Sequence, residues 1–212
     1  MSDATQVIGP ARSTAEVNKI AGAAARHLAG GGLLVHPTSG VYGIGGAAES
    51  EIDAALTRMK GRAPGRPLIC LVSGVDVVRA EFPAAAWSPL AARFAAAFWP
   101  GPLTLVLDDG TPHGRSVRCE AHPVTRGVLA VWGRALTSTS MNRSGMAPVY
   151  SAQEVLRVVR ELDTGDRPIL VIDAGDLPGP PPSTLVRVTR EGWELLREGA
   201  IAAEKLELVA GR

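Results

Sequence analysis

A chain of 212 residues, 46% of them hydrophobic and few of them aromatic, is long enough for one sizeable core filled by Val, Leu, Ile and Ala, and no stretch reads as a linker. The formal net charge of +1 excludes a surface basic enough to hold nucleic acid by charge alone, so any such contact must be local. The longest apolar runs are too short to span a bilayer, and the polar opening MSDATQ lacks the basic start and apolar core of a signal peptide, which predicts a cytoplasmic protein with no membrane partner.

In chain order, Ser13 with Glu16 three residues on is a capping box, and the alanine-rich segment to Leu28 reads as the first helix, stopped by Gly30-Gly31-Gly32. The apolar strand Leu33 to Val35 runs into a turn of Pro37, Thr38, Ser39 and Gly40, whose hydroxyls and amides can face a ligand. Gly43 to Ala48 matches the loose pattern G-x-G-x-x-A. Seven residues separate it from the strand, however, and Arg62 and Arg66 stand where an acid should meet a ribose, so these glycines are read as close-packing or ligand-approach positions. Ser50 with Asp53 opens a helix that ends near Lys60, with Gly61 as terminator.

Pro67 to Ser73 suits a buried strand, Val75 to Glu81 a short helix, and Ser88-Pro89 a cap and first residue for a helix through Phe98. Leu103 to Leu107 and Ser116 to Cys119 follow as strands, and Pro123 to Trp132 as a helix. LTSTSMNRSG reads as an ordered turn presenting hydroxyls. Ser151 with Glu154 opens a helix to about Leu162, Ile169 to Ile172 is a strand, and Thr184 to Val188 pairs with Glu194 to Arg197. Cys70 and Cys119 have no metal-ligand spacing and read as free thiols. Alternating helix and strand predicts one α/β domain over residues 1–212, with its core at 13–201 and a twisted mixed parallel and antiparallel sheet flanked by helices.

Five blocks, HPTSGVYGIG, KGRAPGRPL, FWPGPLTLVL, TSMNRSG, and PSTLVRV with LLREGAI, occur in the order of the YrdC-like family, the threonylcarbamoyl-AMP synthases, which the chain resembles. The family's K-x-R and S-x-N signatures stand as Lys60-Gly61-Arg62 and Ser140-Met141-Asn142. The resemblance implies condensation of L-threonine, bicarbonate or carbon dioxide, and ATP, with Mg²⁺ carried on the ATP, into threonylcarbamoyl-adenylate and pyrophosphate. It also implies downstream transfer proteins that modify tRNA, with tRNA or double-stranded RNA as a further partner. By motif position, Lys60 and Arg62 are the catalytic pair; Arg62, Arg66, Arg115, Ser140, Asn142 and Arg197 surround ATP; and Thr38, Arg118, Ser138 and Ser183 form the threonine pocket. No metal ligand is assigned. Such a reaction depends on positioning and fixed positive charge, which these cations supply.

Several positions depart from the family pattern. His36 stands for tyrosine, Ser39-Gly40 for an acid and a threonine, Glu120-Ala121 for proline and aspartate, Met141 for alanine, and Glu198 for proline. The changes at 39 and 40 remove a carboxylate and a hydroxyl near the threonine pocket. Two alternatives therefore stand beside the synthase reading: a diverged YrdC-like paralogue that binds RNA, and a carbamoyl-adenylate enzyme with another acceptor.

Overall fold

A computed structural model describes residues 5–10, 13–61, 67–143, 145–162, 167–179 and 181–211. Among these residues a ten-stranded mixed sheet forms the centre. In chain order its strands are β1 (Thr5–Ile8), β2 (Leu33–Pro37), β3 (Tyr42–Ala47), β4 (Ile69–Val72), β5 (Leu103–Leu107), β6 (Arg115–Cys119), β7 (Leu136–Ser140), β8 (Ile169–Ile172), β9 (Thr184–Val188) and β10 (Trp193–Arg197). The helices are α1 (Thr14–Ala29), α2 (Ser50–Met59), α3 (Val75–Glu81), α4 (Pro89–Phe98), α5 (Pro123–Trp132), α6 (Ala152–Glu161) and α7 (Ala203–Ala210). Across the sheet the order is β1-β8-β2-β3-β7-β4-β6-β5-β9-β10. The pairs β1/β8, β8/β2, β4/β6 and β5/β9 are parallel, and the rest are antiparallel.

Three of the described helices, α1, α4 and α6, start where a side chain satisfies a first-turn amide. Ser13, Ser88 and Ser151 accept from the backbone N–H groups of Glu16, Ala91 and Glu154, and Pro89 and Pro123 occupy first-turn positions where no N–H is needed. At α2 the N-cap is Glu49 without a side-chain bond, so the expected Ser50 cap is replaced by Ser50 as the first helical residue. The two faces of the sheet are covered unequally. Helices α2 and α6 bury Ile52, Leu56, Val155 and Val159 against one face, and α3, α4 and α7 bury Val78, Phe94 and Leu206 against the same face further along. Only α1 and α5 pack on the opposite face, against Leu34, Leu136, Leu170 and Ile172. The uncovered remainder of that face is where a cavity forms.

Four elements differ from the sequence expectations. Thr5–Ile8 is an added edge strand, and Ala203–Ala210 an added helix. The glycine-rich Tyr42–Ala47 is a fully buried central strand, which was not expected, although its glycines do stand at close-packing and cavity positions. Leu136–Ser140 is likewise a strand: LTSTS is not a turn but the central partner of β3 and β4, and only the residues after Ser140 turn. Both cysteines are free and buried, and burial pushes the Cys70 thiol up to about 11. No helix among the described residues is long and apolar enough to cross a membrane.

Candidate active site

The turn after β2 is fixed by its own hydroxyl and by a neighbouring helix. Thr38 Oγ1 donates to the Val41 carbonyl at 2.7 Å, and Thr125 Oγ1 from α5 donates to the Pro37 carbonyl. Beyond it, β7 points Ser138 and Ser140 to the less covered face, while β6 points Ser116 and Arg118 the same way by the two-residue period of a strand. From the other flank, β10 carries a bulge between Leu195 and Arg197: Leu195 opposes Val186, yet Arg197 opposes Leu185. The extra residue turns Arg197 onto the face of Leu185 and Ser183, where its Nη2 and Nε donate to the Ser183 carbonyl at 2.8 and 3.2 Å.

These side chains enclose a cavity of about 460 Å³, of the size that holds small ligands. Thr38, Arg118, Ser138, Ser140, Ser183 and Arg197 all line it, so six of the predicted positions share one hollow. Gly43 lies in its floor. A Cβ there would meet the His36 ring at 2.9 Å and Ser138 Oγ at 3.0 Å, so glycine keeps the backbone open to whatever occupies the space. A larger hollow of about 800 Å³ opens beside the starts of α1 and α5, and none of the predicted residues lines it.

Lys60, the C-cap of α2, is buried at the cavity's edge. Its Nζ donates to the Ser140 carbonyl, to Asn142 Oδ1 at 3.0 Å, to Ser140 Oγ at 3.2 Å and to Thr139 Oγ1 at 3.3 Å. The ammonium therefore binds the end of β7 and sits beside two lining residues, Thr139 and Ser140. Asn142 donates through Nδ2 to the carbonyls of Arg143 (3.0 Å) and Met146, which assigns it to ordering that loop. Arg62 and Arg66 lie outside the described residues.

Arg115 does not join this group. It is one residue out of phase with Ser116 and Arg118, so it projects from the other face, where its guanidinium lies 4.7 Å from the Phe82 ring centre and near Asp109. Arg115 instead lines a separate hollow with Asp109, His113 and Pro67, and Ser116 lines the cavity in its place.

Two side chains absent from the predicted set shape the site from behind. His36 is wholly buried, with Nε2 3.1 Å from Ser138 Oγ and Nδ1 3.4 Å from the Pro37 carbonyl. Glu120 is almost wholly buried: Oε1 accepts from the N–H groups of Ser39 (2.9 Å), Ala121 (2.9 Å) and His122 (3.1 Å) and from the Ser39 hydroxyl, while Oε2 accepts from Arg118 Nη2. Burial alone would raise the Glu120 carboxyl, but Arg118 and the Ser39 and His122 donors outweigh it and hold the group below its ordinary value. Burial and then the neighbouring Arg118 lower Arg197. The sequence signal for Glu120 was the Arg-x-Glu spacing at the end of β6, which sets both side chains on one face.

Burial lowers His36 from 6.5 to about 4, opposed by the Pro37 carbonyl and Glu120 and aided by Arg118 and His122. The folded state thus excludes a proton that the unfolded chain binds. The stabilisation is whole above pH 6.5 and is lost as pH falls towards 4, amounting to roughly 2 kcal/mol between pH 7 and pH 5. Glu120, lowered from 4.5, contributes above that value and is lost only at more acid pH. Urea unfolding at pH 7 and pH 5 should therefore show the loss in the wild type and less of it in His36→Gln; equal losses would remove His36 as the cause.

A family model described as telomere recombination, covering the Sua5, YciO and YrdC proteins, matches residues 26–199. A threonylcarbamoyl-AMP synthase of Alkalilimnicola ehrlichii is 37% identical over 142 residues, 62% of this chain and 72% of its own length. The structure of P. abyssi Sua5 complexed with L-threonine superposes with a TM-score of 0.75 at 27% identity over 98% of this chain, which spans 61% of that protein. E. coli YciO, at 19% identity, shares the fold with a TM-score of 0.77 over 97% of this chain and 100% of its own. With residues 26–199 matched by the family model and nearly its whole length superposed on Sua5, the chain belongs to the Sua5, YciO and YrdC family.

Proposed function

We propose that this chain is a threonylcarbamoyl-AMP synthase, which joins L-threonine, bicarbonate or carbon dioxide, and ATP into threonylcarbamoyl-adenylate and releases pyrophosphate. The observation that carries the reading is the convergence of Arg118 and Arg197 on one cavity with the hydroxyls of Thr38, Ser138, Ser140 and Ser183, and with the Lys60 ammonium at its edge. Threonine is a small zwitterion. Its carboxylate suits Arg118, and its hydroxyl and amine suit Thr38, Ser138 and Ser183.

The amine attacks carbon dioxide, forming the N–C bond of a carbamate and shedding a proton. A carbamate oxygen then attacks the α-phosphorus while the bond to the bridging oxygen of pyrophosphate breaks. Negative charge gathers on the phosphoryl oxygens and the leaving group, where Lys60, Arg197 and, by motif position, Arg62 and Arg66 would hold it. Mg²⁺ arrives on the ATP phosphates. The buried carboxylate nearest the site, Glu120, has both oxygens engaged by donors and is not a ligand for it. The product would pass to proteins that transfer the threonylcarbamoyl group to tRNA.

Pyrophosphate release measured with ATP, bicarbonate and each amino acid in turn tests the proposal. L-threonine should stimulate release at least tenfold over the no-amino-acid control. Release indifferent to L-threonine would reject it and favour an enzyme with another acceptor, while tight salt-sensitive RNA binding without release would favour the RNA-binding alternative.

A further inference from the structure

We propose that Glu120 is a positioning residue for the amino-acid subsite, holding Arg118 at the cavity wall and tying it to the turn that carries Thr38. The inference rests on the reading of the cavity as an amino-acid and nucleotide site. Its basis is the division of labour between the two oxygens of one buried carboxylate. Oε1 gathers the Ser39 amide and hydroxyl and the amides of Ala121 and His122, so it fixes the turn after β2 to the end of β6. Oε2 takes a single nitrogen of Arg118, and Arg118 Nε, shielded from solvent, has no hydrogen-bond partner. The guanidinium is therefore held by one of its nitrogens. Its Nη1 donors have no partner among the described residues, and Arg118 lines the cavity wall, where a carboxylate can satisfy them.

Two departures from the family pattern meet at this carboxylate. Ser39 stands where the family pattern has an acid, and Glu120 stands where it has proline, yet Ser39 and Glu120 are in direct hydrogen-bonded contact. A carboxylate thus stands within hydrogen-bond distance of the turn, supplied by the residue that follows β6 and shared with Arg118. His36, another departure, bonds Ser138 beside the same turn.

Glutamine at 120 could keep Oε1 for the backbone amides, but its NH₂ would then face Arg118 Nη2, donor against donor. That loss is electrostatic and local, so it should move recognition of the amino acid and leave the nucleotide side alone. The test uses L-threonine-dependent pyrophosphate release by the full chain, with melting temperatures to confirm folding. Glu120→Gln is expected to raise the KM for L-threonine at least tenfold while the KM for ATP stays within twofold. The double variant Ser39→Asp with Glu120→Ala, which returns the charge to the turn, is expected to recover a threonine KM within about threefold of wild type.

An active wild type alongside a folded Glu120→Gln whose threonine KM is unchanged overturns the inference alone. A folded double variant that fails to recover threonine recognition overturns it as well, and decides the matter if Glu120→Gln does not fold. A wild type that turns over no amino acid removes the underlying reading and this inference with it.

Discussion

Replacing Lys60 by methionine should lower the rate of pyrophosphate release by a factor of about 10² to 10³, the usual consequence of removing a preorganised donor at a site of developing charge. The reason lies in how the ammonium is held. It is 7% exposed and, among the described residues, within reach of at least four acceptor oxygens, Thr139 Oγ1, the Ser140 carbonyl, Ser140 Oγ and Asn142 Oδ1, more than its three protons can serve at once. An arriving phosphate or carbonate oxygen can displace the weakest of these contacts without moving the lysine. Arginine should not restore the rate, because a planar fork cannot address acceptors disposed around a point charge. The fold should survive at a cost of about 1–3 kcal/mol for acceptors left unmatched. Single-turnover rates and melting temperatures of Lys60→Met and Lys60→Arg check both parts, and a rate within tenfold of wild type for Lys60→Met would remove lysine from the chemistry.

The second large effect concerns the sheet beneath the site. Gly45→Ala is expected to destabilise the chain by at least about 3 kcal/mol, in the range reached only by overpacking or strain in a core. A Cβ at Gly45 would collide with the Thr137 carbonyl, a backbone atom locked into the ladder between β3 and β7, and no rotamer change relieves that. Gly74→Ala is the matched control. Nothing lies within 4 Å of its added carbon, and its backbone is extended, so its effect should stay within about 0.5 kcal/mol. Urea unfolding of the two variants separates the cases, and equal midpoints would refute the packing argument.

How far the sequence revealed this architecture depends on what kind of signal each element carried. Helices announced by serine caps, such as α1, α4 and α6, were legible because the cap is a local bond between residues three apart. Strand β3 was not, because Gly43, Gly45 and Gly46 have no side chains with which to write an alternating pattern. Their reason for being glycine is the nearness of β7, His36 and Ile52, which only tertiary structure reveals. Strand β7 was hidden by its own function: the hydroxyls that line the cavity make LTSTS look like a turn. Edge strand β1 is largely exposed and owes its form to pairing with β8, a contact far away in sequence.

At the site, the family blocks located Thr38, Arg118, Ser138, Ser140, Ser183 and Arg197, which meet in one cavity. Arg115 does not line that cavity, since a motif position does not record which face of a strand a residue occupies. Glu120 was visible as a departure from the pattern and in its spacing two residues after Arg118. Its role emerges when the turn after β2 and the end of β6 are seen to touch.

The bulge that aims Arg197, and the turn that aims Thr38, lie near opposite ends of the chain, and they become neighbours only when the strands between them are in place. No half-opened form of the sheet can therefore retain an occupant. A bound ligand adds its free energy to the stability of the whole cooperative unit, and a starved molecule spends more time in conformations that proteases cut.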